Sequence, residues 1–440
     1  MRSFFFNLAR VLDQGLRDGE AYLLGFVGET SDFVRFNESK VRQAGQVYQN
    51  AVRLKLIRGR RHADGEFMVT GQLRVDRPAL ESLLEGLRHT LDQVPEDPHL
   101  HYAREVHDTE TVGTNRLPPP DLVLDEILEA GKNRDLVGHY AAGAIYRGFA
   151  NSFGQRNWFE SYNFNFDWSF YLEGDRAVKC RYAGLEWESN VFARKVDDAA
   201  GHLEVLKGPR KKIPPGTYRV YLAPAAIGSI MTMLGWGGFS LKSKCTAQTP
   251  LIRMVNKEVA LDPSIHIMEN TRDGVSADFD AFGFIKPPEV PLISEGNLVG
   301  FLTSARSAKE YHVPTNGADA GEVPVSLDMA PGTLERDDIL PTLDTGVYIS
   351  DLWYLNYSDR RACRMTGMTR FATFWVENGK LVAPIETMRF DESIYRILGR
   401  NLVALTRERD LILDPDTYGR RATNSMRLPG AVVDAFRFTL

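Results

Sequence analysis

The chain has 440 residues, 43% apolar and 25% charged, with a formal net charge of −5. That composition fits a globular protein of two or three domains with a sizeable core. It excludes a strongly basic nucleic-acid binder, and no run of about 18 uncharged apolar residues could span a bilayer. Cys180, Cys245 and Cys363 are odd in number and form no CxxC pair. This points to free thiols in a reducing compartment, with cytoplasm as the default.

The opening "MRSFFFNLARVLDQGLRDGE" does not read as a signal peptide, because Asn7 and Arg10 break its apolar run. Phe4, Phe5, Leu8, Leu12 and Leu16 instead follow helical spacing. The period then changes to two: Tyr22-Leu24-Phe26, Val52-Leu54-Leu56 and Phe67-Val69 alternate along antiparallel strands, with a hairpin turn expected at "ADG", 63–65. "RPALESLLEGLRHTLDQV" carries Leu80, Leu83, Leu84 and Leu87 on one helical stripe. Residues 95–120 are polar and Pro-rich and read as a linker or extended crossover. "DLVLDEILEAGKNRD" is a further amphipathic helix. The alternating aromatics Phe164, Trp168 and Phe170 fit a half-buried strand, and a helix is expected near 188–205.

From "PPGTYRVYLAP" onward, strand and turn signals dominate. "PLISEGNLVGFLTS" and "ATFWVENGKLVAPI" read as strand–turn–strand. "ESIYRILGRNLVALT" reads as a helix between strands, and "LPGAVVDAFRFTL" as a closing strand. The expected fold is α+β. Residues 1–215 form an N-terminal region with an antiparallel sheet and flanking helices, in subregions 1–95 and 116–215 joined by the Pro-rich linker. Residues 216–440 form a C-terminal β-rich region, barrel- or sandwich-like.

Residues able to do chemistry are sparse. His99, His101 and His107 form the best metal-like group, but they sit in the polar crossover with no Cys nearby, so solvated histidines are the expectation. His266 and Glu269 would face each other only on a helix. Cys363 lies among arginines in "DRRACRMTGMTR", which could lower its pKa, yet no partner His is evident. There is no GxSxG, HExxH, P-loop or GxGxxG. The basic tracts "RGRRH" and "KGPRKK" are short and read as solvated loops or strand ends. The central stretch "LAPAAIGSIMTMLGWGG", 222–238, reads as a helix entered from a strand and holds no Asp, Glu, His, Cys, Lys or Arg.

The order of these tracts resembles the TldD/PmbA (modulator-of-gyrase) family. The tracts that carry it are "GTYRVYLAPAAIGSIMTML", "PPEVPLISEGNLVGFLTSARSAKEY", "FWVENGKLVAPIE", "NSMRLPGAVVDAFRF" and, earlier, "DFVRFNESKVRQAGQVYQNAVRLKLIRGRRHADG" and "YRGFANSFGQRNWFES". The resemblance implies two kinds of subunit. TldD-like members carry HExxxH on the helix after the strand that here reads "YRVYLAP", giving two metal ligands and a general base. Residues five apart on an α-helix lie about 140° apart, so ligation at that spacing needs a widened turn. The matching positions here begin with Thr232 and Met233 and end with Gly237, and none of the three can ligate a dication or activate water. The C-terminal Cys ligand of such members has no counterpart; Ser425 is nearest.

The resemblance therefore implies a TldE/PmbA-like subunit with no catalytic residues, no metal and no cofactor of its own. Its implied partner is a TldD-like paralogue that binds the metal, expected to be zinc, in a heterodimeric metallopeptidase, and this chain would shape the cleft for unfolded peptides or peptide-derived substrates. No nucleic-acid or membrane partner is implied, and a homodimer is possible when the chain is alone. The cleft positions it suggests are Asn151, Trp236, Arg364 and Thr366. The alternative is a stand-alone homodimeric peptide-binding protein without proteolytic activity.

Overall fold

In the computed structural model, which describes residues 1–174, 176–417 and 419–439, the first helix forms where helical spacing places it. Helix α1 (Arg2–Gly15) buries Phe5, Leu8, Ala9, Val11 and Leu12. These pack on one face of strands β1 (Glu20–Asn37), β2 (Lys40–Arg58) and β3 (Arg61–Met68), together with the leucine stripe of α2 (Leu73–Leu91). The period-two residues Tyr22, Leu24, Phe26, Val52, Leu54 and Leu56 supply the sheet side of that core.

The expected turn at 63–65 is corrected. The β2–β3 hairpin turns at Gly59–Arg60, and Ala63–Gly65 lie inside β3, opposite Leu54–Leu56. Gly65 is there for packing: a Cβ would come within 2.7 Å of Leu83 Cδ1 on α2.

The crossover at 95–120 is not a free linker. Its Ala103 is buried and donates its N–H to the Phe282 carbonyl at 2.9 Å. Strand β4 (Thr109–Val112) then pairs in parallel with residues 157–160. Helix α3 (Pro120–Gly131) leads into β5 (Asp135–Asn151), β6 (Arg156–Glu173) and β7 (Arg176–Gly184). The strand order is β3-β2-β1-β5-β6-β4, with β7 also on β6. Phe164, Phe166, Trp168 and Phe170 share one face of β6. They are buried under α3 and α4 (Ser189–Leu206) in a core that also takes Phe374 from the second half.

Strand β8 (Gly216–Leu222) and helix α5 (Pro224–Gly235) open that second half. The short helices α6 (Leu241–Cys245), α7 (Ile252–Val255), α8 (Ala305–Tyr311) and α9 (Ile339–Leu343) punctuate strands β9 (Ile267–Asn270), β10 (Glu289–Ser294), β11 (Asn297–Leu298) and β12 (Ser326–Met329). After them come β13 (Gly346–Asp359), β14 (Arg364–Glu377), β15 (Lys380–Pro384), β16 (Arg389–Ser393), β17 (Leu402–Leu413) and β18 (Ser425–Phe438). The sheet runs β11-β10-β9-β12-β18-β16-β14-β13-β8, and β8 pairs back to β18. Five strands thus close into a ring, as the barrel-like expectation had it.

Both expected hairpins form. Each turns on two residues with positive φ, Glu295–Gly296 and Asn378–Gly379, as type I′ turns require. The helix expected over 392–406 is corrected to a short kinked turn at Arg396–Arg400, broken at Gly399 (φ −117, ψ −122), after which β17 begins at Leu402. The apolar run Leu402–Leu405 gains more by pairing with Ala431–Val433 of β18 than by propagating a turn.

The face of the first sheet away from the helices is apolar where Leu23, Ile57, Phe149 and Phe159 pack on Ala277 and Phe279, and polar where a loop from the far end of the chain lies on it. Arg421 enters there, 6% exposed. It donates to the Asn163 carbonyl at 2.9 Å, to the Asn163 side chain and to Ser31 Oγ at 3.2 Å. Its own backbone N–H reaches Glu29 at 3.3 Å. Burial pushes the Arg421 guanidinium down to about 10, with Glu29 pulling the other way, so it stays charged at neutral pH. Removing its side chain would leave Asn163 and Ser31 buried without their donor and Glu29 without the nearby opposite charge, so Arg421→Ala is expected to cost about 3 kcal/mol in denaturant unfolding; a loss under about 0.5 kcal/mol, typical of surface sites, would contradict this anchoring role.

Candidate functional site

Helix α5 starts with Pro224 in its first turn, where the missing N–H costs nothing. It buries Ala226, Ile227, Ile230, Met231, Met233 and Leu234 against the ring of strands. With no charged side chain to keep in water, nearly the whole helix surface can enter the core.

The C-terminal end of α5 is closed by side chains from the "YSDRRAC" tract. Tyr357 Oη donates to the Met233 carbonyl at 2.9 Å, and Arg360 Nη2 donates to the Trp236 carbonyl at 2.8 Å. Arg360 Nε also donates to the Gln248 carbonyl at 2.8 Å, and its guanidinium lies 5.0 Å from the centre of the Tyr357 ring. A cation at a helix C-terminus satisfies orphan carbonyls and opposes the negative end of the dipole. Trp236 follows in an inverse γ-turn (φ −73, ψ 74), and Gly237 is left-handed at φ +85.

This geometry decides what the motif positions can do. Thr232 faces solvent and spends its hydroxyl on the Gly228 carbonyl of its own helix, at 2.9 Å. Met233 is 4% exposed and points into the core. Gly237 lies beyond the helix, where a Cβ would meet Arg360 Nη2 and Ser243 Oγ, each at 2.9 Å. A hydroxyl bound to its helix, a core thioether and a side-chain-free turn do not make a donor set for a catalytic dication, so the residues present do not fit such a metal.

The other sequence candidates are dispersed. Asn151 is fully buried at the end of β5, and its side-chain oxygen accepts the N–H groups of Phe153 and Gln155 at 3.0 and 3.1 Å. Gln155 in turn donates to the Gly283 carbonyl at 2.8 Å. Asn151 thus holds a turn against the second half of the chain. Arg364 and Thr366 share a face of β14. Arg364 ion-pairs with Asp359 and Asp391, both at 3.4 Å. Thr366 donates to the Phe390 carbonyl at 2.9 Å. Trp236 stands apart at the end of α5 and is 58% exposed.

Cys363 is fully buried, and burial raises its thiol well above its usual range, with Arg360 pulling weakly the other way; such a thiol is unreactive. His101 packs on Phe284 with ring centres 4.9 Å apart, and His107 stands in solvent beside Glu105. His266 accepts the Glu295 N–H, whereas Glu269 accepts those of Val325 and Ser326. Among the described residues no three His, Cys, Asp or Glu side chains converge.

Sequence reasoning missed two features of the same region. Trp353 and Tyr354, at a bulge in β13 next to α5, are 49% and 76% exposed, and their rings meet edge to face at 5.4 Å. The Arg370 guanidinium lies 4.6 Å from the Trp353 ring. Alternation alone would have put one of these two neighbouring aromatics inside; only the bulge exposes both. Asp351, on the same strand, is buried and pairs with Arg181 of the first sheet at 3.1 Å, and burial raises its pKa.

A helix-plugged ring of strands joined to a helix-covered antiparallel sheet is the architecture that carries this helix end. Residues 215–440 match the family model described as the PmbA/TldA metallopeptidase C-terminal domain, and the chain belongs to the TldD/PmbA family. No curated protein matches it in sequence. Among solved structures, TldE from Thermococcus kodakarensis superposes with a TM-score of 0.79 at 14% identity, covering 99% of this chain and 100% of that one. A proposed modulator of a DNA gyrase from Thermotoga maritima gives 0.77 at 16% identity, with 99% of both chains covered. A second, from Bacteroides thetaiotaomicron, gives 0.73 at 15%, covering 99% of this chain and 98% of that one. At these identities the likeness is one of fold.

Two outcomes follow from this geometry. Rebuilding the motif as Thr232→His/Met233→Glu/Gly237→His is expected to leave the chain without stoichiometric zinc after dialysis and to destabilise it, since a carboxylate enters the core; one zinc per chain would contradict the account of the helix end.

Asp280, buried in the turn beside Gly283, is raised to about 7 from 3.8 by burial, against the pull of the Phe284 and Phe282 N–H groups. The folded state therefore holds its proton longer than the unfolded one, so stability falls as pH rises between those two values. Unfolding midpoints of Asp280→Asn and the parent, compared from pH 5 to 8, should diverge as the parent loses ground; parallel curves would remove the assignment.

Proposed function

We propose that this chain is the non-catalytic, TldE-like subunit of a two-component metallopeptidase. The metal and the water it activates belong to a TldD-like paralogue, and this chain contributes surface to the cleft that receives an extended peptide. The observation that carries the reading is the end of α5: where the family's motif calls for two imidazoles and a carboxylate, this chain has Thr232, Met233 and a left-handed Gly237 under an arginine cap. Family membership and the similarity of fold to TldE support it.

The exposed aromatics beside that helix suit the binding role. Trp236, Trp353 and Tyr354 offer broad apolar area at low conformational cost, with one polar group each. A peptide held mainly through its backbone as an added strand needs only such weakly selective side-chain contacts.

The experiment is co-expression with a metal-bearing paralogue. A stable 1:1 complex that cleaves unfolded peptide, with all the zinc in the paralogue, is expected. Trp236→Ala in this chain should lower kcat/KM of the pair by about tenfold while the complex and its zinc content are kept. A homodimer that binds peptide and ignores the paralogue would favour the stand-alone alternative and reject this reading.

A further inference from the structure

A cleft of about 440 Å³ lies beside the tract that caps α5, with Ala362 and Arg364 in its lining, within the range of small-ligand sites. Five arginines from four separate chain segments line it: Arg253 of α7, Arg364 of β14, Arg396 and Arg400 of the kinked turn, and Arg437 of β18. Only two carboxylates, Asp391 and Glu392, share the lining. In a chain of net charge −5, this is a local concentration of positive charge whose field a concave wall focuses.

The carboxylates do not neutralise it. Arg364 takes Asp391 at 3.4 Å and Arg396 takes Glu392 at 3.2 Å. Arg253 leans out to Glu258 at 3.2 Å. Among the described residues neither Arg400 nor Arg437 makes a side-chain ion pair, and Glu392 reaches Arg400 only at longer range.

The frame that carries these side chains is fixed. Tyr395 donates its hydroxyl to the Pro250 carbonyl at 3.0 Å, under the Arg253 guanidinium 5.5 Å from its ring centre. The Arg437 N–H donates to Glu392 at 3.2 Å. The kinked turn Arg396–Arg400, broken at Gly399, carries both Arg396 and Arg400 to one cleft.

We propose that this cleft binds a compact anion carrying two or more negative charges on phosphate or carboxylate oxygens. Planar guanidinium forks suit both groups bidentately, and Arg400 and Arg437 are the forks left open for them. The inference does not depend on the peptidase reading.

The full chain is titrated with inorganic pyrophosphate and, separately, with citrate, at ionic strength held constant with sodium chloride so that general screening does not vary. Binding is read by calorimetry and by the rise in unfolding midpoint. A saturable response is expected, and the tighter of the two anions tells whether phosphate or carboxylate chemistry is preferred. Arg400→Gln/Arg437→Gln should weaken binding at least about tenfold with its unliganded circular dichroism unchanged. Arg74→Gln/Arg77→Gln, on exposed positions of α2, should bind as the parent does. No saturable response to either anion, equal binding by the Arg400/Arg437 variant, or equal weakening in the α2 control would overturn the proposal.

Discussion

The cap on α5 is the constraint on which the functional reading depends. Arg360 and Tyr357 take the carbonyls of Trp236 and Met233, and the chain leaves the helix through a γ-turn and a left-handed glycine. A helix closed this way cannot also present a ligand one turn further on. The residues that could have been ligands are used otherwise: one hydroxyl serves its own helix, one thioether serves the core, and one position has no side chain. The poor fit of this helix end to a dication thus reflects how the helix is packed and ended, as well as which residues it contains.

The same region is tied to the rest of the molecule by charge. Asp351, beneath α5, meets Arg181 of the first sheet, and Lys195 of α4 meets Asp410 of β17 at 3.0 Å. Arg421 carries the late loop onto the polar part of one face of that sheet. These contacts hold the helix-covered sheet and the ring of strands together through specific partners, whereas the shared core of Phe374 with the aromatics of β6 supplies apolar burial. Pairs of this kind set orientation more than they add net stability.

Much of the fold was legible because its signals are local. Tyr22-Leu24-Phe26 and Phe164-Trp168-Phe170 alternate, the leucines of α2 recur at helical spacing, and Asn378-Gly379 can be little but a tight turn. The misreadings share a cause. Gly65 looked like a turn residue but is small because Leu83 presses on it. Leu402–Leu405 looked helical because strand pairing with β18 is not written locally. At the candidate site, the missing ligands were plain from residue identity. The cap was not, since Arg360 reaches across 124 positions, nor was the arginine cleft, whose members are scattered between residues 253 and 437. Bulges such as the one that exposes Tyr354 also escape a period-two pattern.

Zinc-edge anomalous diffraction from crystals of the isolated chain soaked in zinc tests the central claim most directly. No peak is expected within coordination distance of Thr232, Met233 or Gly237, and the Arg360 cap should be intact. A bound ion at that helix end, with the turn at Gly237 unwound to admit it, would show that this chain can hold the metal itself and would overturn its assignment as the partner without one.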